Sequence, residues 1–160
     1  MSSFENEKKI RILFVCYGNT CRSPMAEAVF KNLTKERNLE SRFFSGISSW
    51  QSGQEPNDYV KFILNRNQVS FNHKARQITV ADFNNFDYIF GMDFYNVHEL
   101  HQYASSLDSK SEIDMLGNFN PEEDKLIADP YFDNKPQDFE KCFDQISKSC
   151  EMLLKYFLDR

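Results

Sequence analysis

Ile10-Arg11-Ile12-Leu13-Phe14-Val15-Cys16-Tyr17-Gly18-Asn19-Thr20-Cys21-Arg22-Ser23-Pro24 is the stretch that decides the fold. Residues 10–16 are a short apolar run of β-favouring type, and the Gly18-Asn19 pair stops it as a turn stops a buried strand. Ser23 supplies a helix cap and Pro24 the first helical position; Ala26, Val29, Phe30 and Leu33 then recur at i, i+3, i+4 and i+7. The reading is a strand, a tight loop and a helix that opens at residue 23 or 24.

Working outward, Arg42-Phe43-Phe44-Ser45 reads as a second strand, Gly46 to Gly53 as a loop, and Pro56 to about residue 67 as a helix. Asp87 to Met92 reads as a third strand, followed by a helix through Val97, Leu100 and His101, and Ile113, Met115 and Leu116 mark a last strand. From Phe139, the positions Cys142, Phe143, Ile146, Cys150, Leu153, Leu154 and Phe157 recur at helical spacing and predict a long amphipathic closing helix. The alternation predicts an α/β protein: one domain over 1–160, a parallel four-stranded sheet in three layers with helices on both faces, Rossmann/flavodoxin-like, with residues 1–8 a flexible extension. Ligands of such sheets bind at the carboxyl ends of the strands.

Composition narrows the partners. The 160 residues carry 19 Lys+Arg against 24 Asp+Glu, a formal charge of −5, and a pI near 5.2 speaks against nucleic acid or an anionic membrane. Seven acids fall within 121–140 against two lysines, so one loop region holds the acidity. A 41% hydrophobic content with 16 Phe is too rich for a disordered chain, and no run approaches a membrane span. The first residues lack an apolar signal segment, which gives the cytoplasm as the expected compartment and makes Cys16, Cys21, Cys142 and Cys150 thiols rather than a disulfide framework.

Cys16 stands at a strand end, Arg22 six residues on, and a helix begins directly after. Curled loops of this kind turn successive N–H groups inward, the helix adds its positive end, and a phosphate-sized anion fits the concavity. Arg22 has the planar fork that grips two phosphoryl oxygens, and the same field favours the thiolate, the nucleophilic form, at Cys16. Ser23 can donate to that sulfur, while Gly18 and Asn19 tolerate left-handed backbone. A lone strand-end cysteine is more often a small core residue. The coincidence of Cys, five spacers, Arg, Ser and Pro at one junction favours a site.

At this point the chain closely resembles the low-molecular-weight protein tyrosine phosphatase family. The likeness rests on Val15 to Glu27, on His73-Lys74-Ala75-Arg76-Gln77-Ile78, on Asp87-Tyr88-Ile89 with Met92-Asp93, and on Asp129-Pro130-Tyr131. It implies a phosphomonoesterase acting through a covalent cysteinyl phosphate on phosphotyrosine in proteins and on small aryl phosphates, with acid phosphatase activity. By the same resemblance Cys16 is the nucleophile, Arg22 holds the phosphoryl group, and Asp129 is the general acid and then the base. Tyr17, Gly18, Asn19, Thr20, Cys21 and Ser23 bind phosphate or substrate; Trp50, Tyr131 and Phe132 form the walls; His73 buttresses Asn19. Cys21 forms a reversible disulfide with Cys16. The expected reaction uses no metal and no cofactor, inorganic phosphate or sulfate can occupy the site, and the chain is expected to act as a monomer, away from nucleic acid and membrane.

Some positions depart from the pattern. Tyr17 and Thr20 stand where aliphatic residues are common, and a threonine there is typical of the protein-arginine phosphatase branch, whereas Asp129-Pro130-Tyr131-Phe132 looks like the tyrosine branch. Protein-arginine phosphatase is therefore the alternative. Phe132 has no hydroxyl to phosphorylate, while Tyr131 has one. Either Phe44 or, with a gap, Ser45 takes the place of a loop-supporting serine. An arsenate reductase would relay its disulfide through further thiols, and Cys142 and Cys150 would stand about 12 Å apart on a helix. A non-catalytic phosphopeptide-binding module would need neither Cys16 nor Asp129.

Overall fold

Alternation along β1 (Ile10–Val15) sends its side chains into two apolar layers. Ile12 and Phe14 pack with Met25 and Phe30 of α1 (Arg22–Glu36) and with Phe139 and Ile146 of α5 (Pro136–Leu158). Leu13 and Val15 pack on the opposite side with Phe83, Phe86, Ile89 and Leu100. Burial on both faces is why the strand reads as one continuous apolar run.

The computed structural model describes residues 9–17, 21–48, 56–71, 76–130 and 135–160. Its strands pair in parallel in the order β2 (Phe43–Ser48), β1, β3 (Tyr88–Gly91), β4 (Glu112–Met115). Helices α1, α2 (Asp58–Arg66) and α5 pack together on one face; α3 (Asp82–Asn85) and α4 (Phe94–Ser105) cover the other. This is the three-layer parallel arrangement expected. The chain runs from β1 outward to β2 and then returns to β3 on the other side of β1. Strand order reverses there, and an α/β sheet opens its ligand crevice at that point. Cys16 leaves the carboxyl end of β1 at this reversal. Among the described residues no helix is long and apolar enough to cross a membrane.

The differences from expectation have local causes. β2 continues through Gly46, Ile47 and Ser48, which the sequence assigns to a loop, because β1 stays paired to its end: Leu13 with Gly46, Phe14 with Ile47, Val15 with Ser48. Phe43, Ser45 and Ile47 turn inward, while Phe44 lies outside under the Arg11 guanidinium at 4.3 Å. Ser45, then, is the inward-facing residue of the two. α3 is a single turn with no periodicity to detect. It is set by Asp82, which accepts from Thr79 N–H at 2.8 Å and from both Arg76 terminal nitrogens at 3.0 and 2.9 Å. α5 starts with Pro136 at its N-terminus, three residues ahead of the first periodic apolar position.

The end of β3 meets α4 closely. A Cβ on Gly91 would stand 2.8 Å from the Cβ of Asn96 and 3.1 Å from the Val97 nitrogen. This approach accompanies the bond from Met92 N–H to Asn96 Oδ1 at 3.0 Å. Gly91→Ala is therefore expected to cost about 1–3 kcal/mol by overpacking. The check is a urea titration, in which the midpoint falls with the slope unchanged; an unmoved midpoint would contradict it.

Candidate active site

The turn between β1 and α1 brings the Ser23 hydroxyl to 3.0 Å from the Cys16 sulfur, and the Ser23 N–H donates to that sulfur at 3.5 Å. The sequence predicts Ser23 as the helix cap. Instead α1 begins at Arg22, Cys21 holds the cap position without a side-chain bond, and Ser23 lies in the first turn with its hydroxyl turned to sulfur. Pro24 is tolerated there because first-turn N–H groups have no helical partner. Cys16, Cys21, Arg22 and Ser23 are all buried, and all four cysteines are thiols.

Arg22 is only 2% exposed, so its contacts decide whether its charge is tolerable. Nη1 donates to Asp93 Oδ2 at 2.6 Å and to the Ile127 carbonyl at 2.9 Å, and Nη2 lies 3.6 Å from Asp129 Oδ2. Among the described residues, buried Nε has no hydrogen-bond partner. One side of the guanidinium is thus fixed by protein, and the edge formed by Nε and Nη2 retains the capacity to bind an oxyanion through two parallel bonds. Burial pulls the Arg22 pKa down. Negative charge at Cys16, the bond to Asp93 and the charges of Asp93 and Asp129 outweigh it, so the group is held above its ordinary value and stays charged.

The partners of Arg22 are themselves positioned. Asp93 Oδ1 accepts from Asn96 N–H at 2.8 Å and caps α4, so one carboxylate ends β3, starts a helix and holds the arginine. Ile127 N–H donates to the Met92 carbonyl at 3.1 Å, and Gln145 Nε2 of α5 donates to the Leu126 carbonyl at 3.0 Å. These bonds deliver the chain to Asp129. Elsewhere in the acidic stretch Glu122 and Asp124 pair with Lys148 and Lys141 at 2.6 and 3.3 Å. Among the described acids of that stretch, Asp129 is the one that faces Arg22.

Of the residues expected at the site, Cys16, Cys21, Arg22, Ser23 and Asp129 come together, and Tyr17 stands 56% exposed beside them. Gly18, Asn19, Thr20, Trp50, His73, Tyr131 and Phe132 lie outside the described residues, as does the 1–8 extension. His98 and His101 are exposed on α4. Burial pushes the thiols of Cys142 and Cys150 up on α5, which keeps them protonated and unsuited to relaying a disulfide. Asp93, Asn96 and the Ile127 carbonyl are neighbours of Arg22 or of its partner to which sequence reading assigns no role. Asp93 ahead of a helix, with Asn96 three residues on, carries a capping signal; its hold on Arg22 is a tertiary contact.

A thiol and an arginine meet at one strand–loop–helix junction, with a carboxylate from a separate loop turned to the same guanidinium, a combination suited to phosphoryl transfer. Residues 11–159 match the family described as low molecular weight phosphotyrosine protein phosphatase, and the chain belongs to it. It is 37% identical over 148 residues to the low molecular weight phosphotyrosine protein phosphatase of Sus scrofa, covering 90% of this chain and 93% of that protein. Among solved structures, DARP, a Drosophila arginine phosphatase, superposes with a TM-score of 0.88 at 39% identity, covering 92% of this chain and 98% of that one. YfkJ of Bacillus subtilis gives 0.88 at 34% identity, with 96% and 98% covered.

The double duty of Asp93 separates by substitution. Asp93→Ala removes both the ion pair and the cap and is expected to cost about 3 kcal/mol. Asp93→Asn keeps a capping oxygen and costs less. Chemical denaturation of the two variants checks the order, and equal losses would show that the ion pair alone matters and the cap adds nothing.

Proposed function

We propose that this chain removes phosphate from phosphotyrosine in proteins and from small aryl phosphates through a cysteinyl-phosphate intermediate. The observation that carries this reading is the arrangement about Arg22. Its Nη1 side is locked by Asp93 and Ile127, its Nε has no partner among the described residues, and Asp129 stands at 3.6 Å. In the reaction the Cys16 sulfur attacks phosphorus in line with the leaving oxygen, and the Nε and Nη2 edge of Arg22 binds two equatorial oxygens. Asp129 gives its proton to the leaving oxygen, then takes one from the water that cleaves the sulfur–phosphorus bond, releasing inorganic phosphate. Ser23 donates to the sulfur when it leaves. Loop residues Gly18, Asn19 and Thr20, supported by His73, cradle the phosphate, while Tyr17, Trp50, Tyr131 and Phe132 wall the slot. These last roles are carried over from the family resemblance.

Hydrogen peroxide would oxidise Cys16 to the sulfenic acid, and Cys21 would displace water from it to close a disulfide. A reducing cytoplasm keeps the thiol available, and that is the compartment we assign. The second reading is protein-arginine phosphatase, favoured by Thr20 and by the likeness to the Drosophila arginine phosphatase.

Cys16→Ser is expected to abolish turnover of an aryl phosphate while inorganic phosphate still binds; retained turnover would refute the covalent route. Asp129→Ala should slow poor leaving groups by about 10²- to 10⁴-fold and good ones less, which a series of substituted phenyl phosphates reads directly. Phosphotyrosyl and phosphoarginyl peptides assayed side by side decide the substrate: faster turnover of phosphoarginine would replace the first reading with the second.

A further inference from the structure

We infer that Phe94 and Tyr95 form an apolar shelf at the mouth of the site that selects polypeptide substrates carrying an apolar side chain beside the phosphorylated residue. This rests on the phosphotyrosine reading above and names which phosphotyrosyl chains the site prefers. Phe94 is 66% exposed and Tyr95 82% exposed, the two most exposed large apolar side chains among the described residues. They are adjacent in the first turn of α4, yet take no part in its packing; the helix buries Asn96 and Leu100 instead. Leaving two neighbouring rings in water gives the fold nothing. Paired exposed aromatics are a common mark of a recognition surface.

Their place in the chain says what passes over them. β1 and β3 are neighbours, with Val15 opposite Gly91, so Cys16 and Met92 leave adjacent strand ends together. Asp93 then reaches Arg22 at 2.6 Å, and Phe94 is one peptide step beyond it, about 3.8 Å between Cα atoms. Tyr17, 56% exposed, follows Cys16 on the other strand end. Exposed rings therefore leave both strand ends that flank the reacting group. A substrate whose phosphoryl group reaches Arg22 carries its own backbone across this rim, and the residues flanking the phosphorylated one are the ones that meet the shelf. Rings bury apolar area at low entropic cost because few torsions are frozen.

The test uses matched phosphotyrosyl peptides that differ only in the residues flanking the phosphotyrosine, which are leucine, serine or lysine. The wild type is expected to show kcat/KM at least about tenfold higher for the leucine peptide than for the serine peptide, a difference of about 1.4 kcal/mol. In Phe94→Ser/Tyr95→Ser the ratio should fall to near one, and in Phe94→Leu/Tyr95→Phe it should persist. Equal kcat/KM for the leucine and serine peptides in the wild type overturns the proposal. So does a ratio that survives the serine variant, or a preference for the lysine peptide, which would make the rings a cation–π platform. Failure of the underlying reading looks different: no phosphotyrosyl peptide is turned over while a phosphoarginyl peptide is, and the stated ligand of the shelf falls with it.

Discussion

A guanidinium buried to 2% exposure is the constraint around which this molecule is arranged. Removing such a charge from water is costly, and leaving it uncompensated would be more so. Compensation comes from three directions: the sulfur of Cys16 at the end of β1, Asp93 at the end of β3, and Asp129 on the loop after β4. The sheet brings these together. In a parallel sheet every strand ends at the same side, and the reversal of order at β1 opens a gap there for the groups that leave β1 and β3.

Legibility in the sequence follows the range of the interaction. β1, α1 and the closing helix declare themselves because their signals are local: an apolar run, a turn, a 3.6-residue period. The loop cysteine and arginine are legible for the same reason, since seven consecutive residues span both. What is hidden is tertiary. Asp93 lies 71 residues from Arg22 and the Ile127 carbonyl 105, and no spacing rule links them. A backbone carbonyl has no residue type to betray it. The extension of β2 through Ser48 is hidden too, because the demand for it comes from the ladder of β1 rather than from Gly46 and Ser48.

The cysteines differ in their surroundings rather than in their burial. Cys142 and Cys150 lie within α5, where burial raises their pKa and nothing outweighs it. Cys16 is just as shielded, yet a serine hydroxyl and N–H face its sulfur, and it lies close enough to Arg22 for its negative charge to raise the guanidinium. Exposure alone would not distinguish these thiols; the polarity of what touches them does.

The three compensating groups do not hold Arg22 equally. Asp93 is at 2.6 Å and is anchored again by the first turn of α4, whereas Asp129 stands at 3.6 Å. An entering phosphoryl group would, in the proposed reaction, compete for the guanidinium edge that Asp129 faces and would leave the Asp93 side intact, because those bonds point elsewhere. In the proposed reaction the loosest partner is the one displaced. In that reaction the strength of one ion pair and the weakness of the other are complementary requirements: the first keeps the arginine in place through every step, and the second leaves the guanidinium edge open to the phosphoryl group.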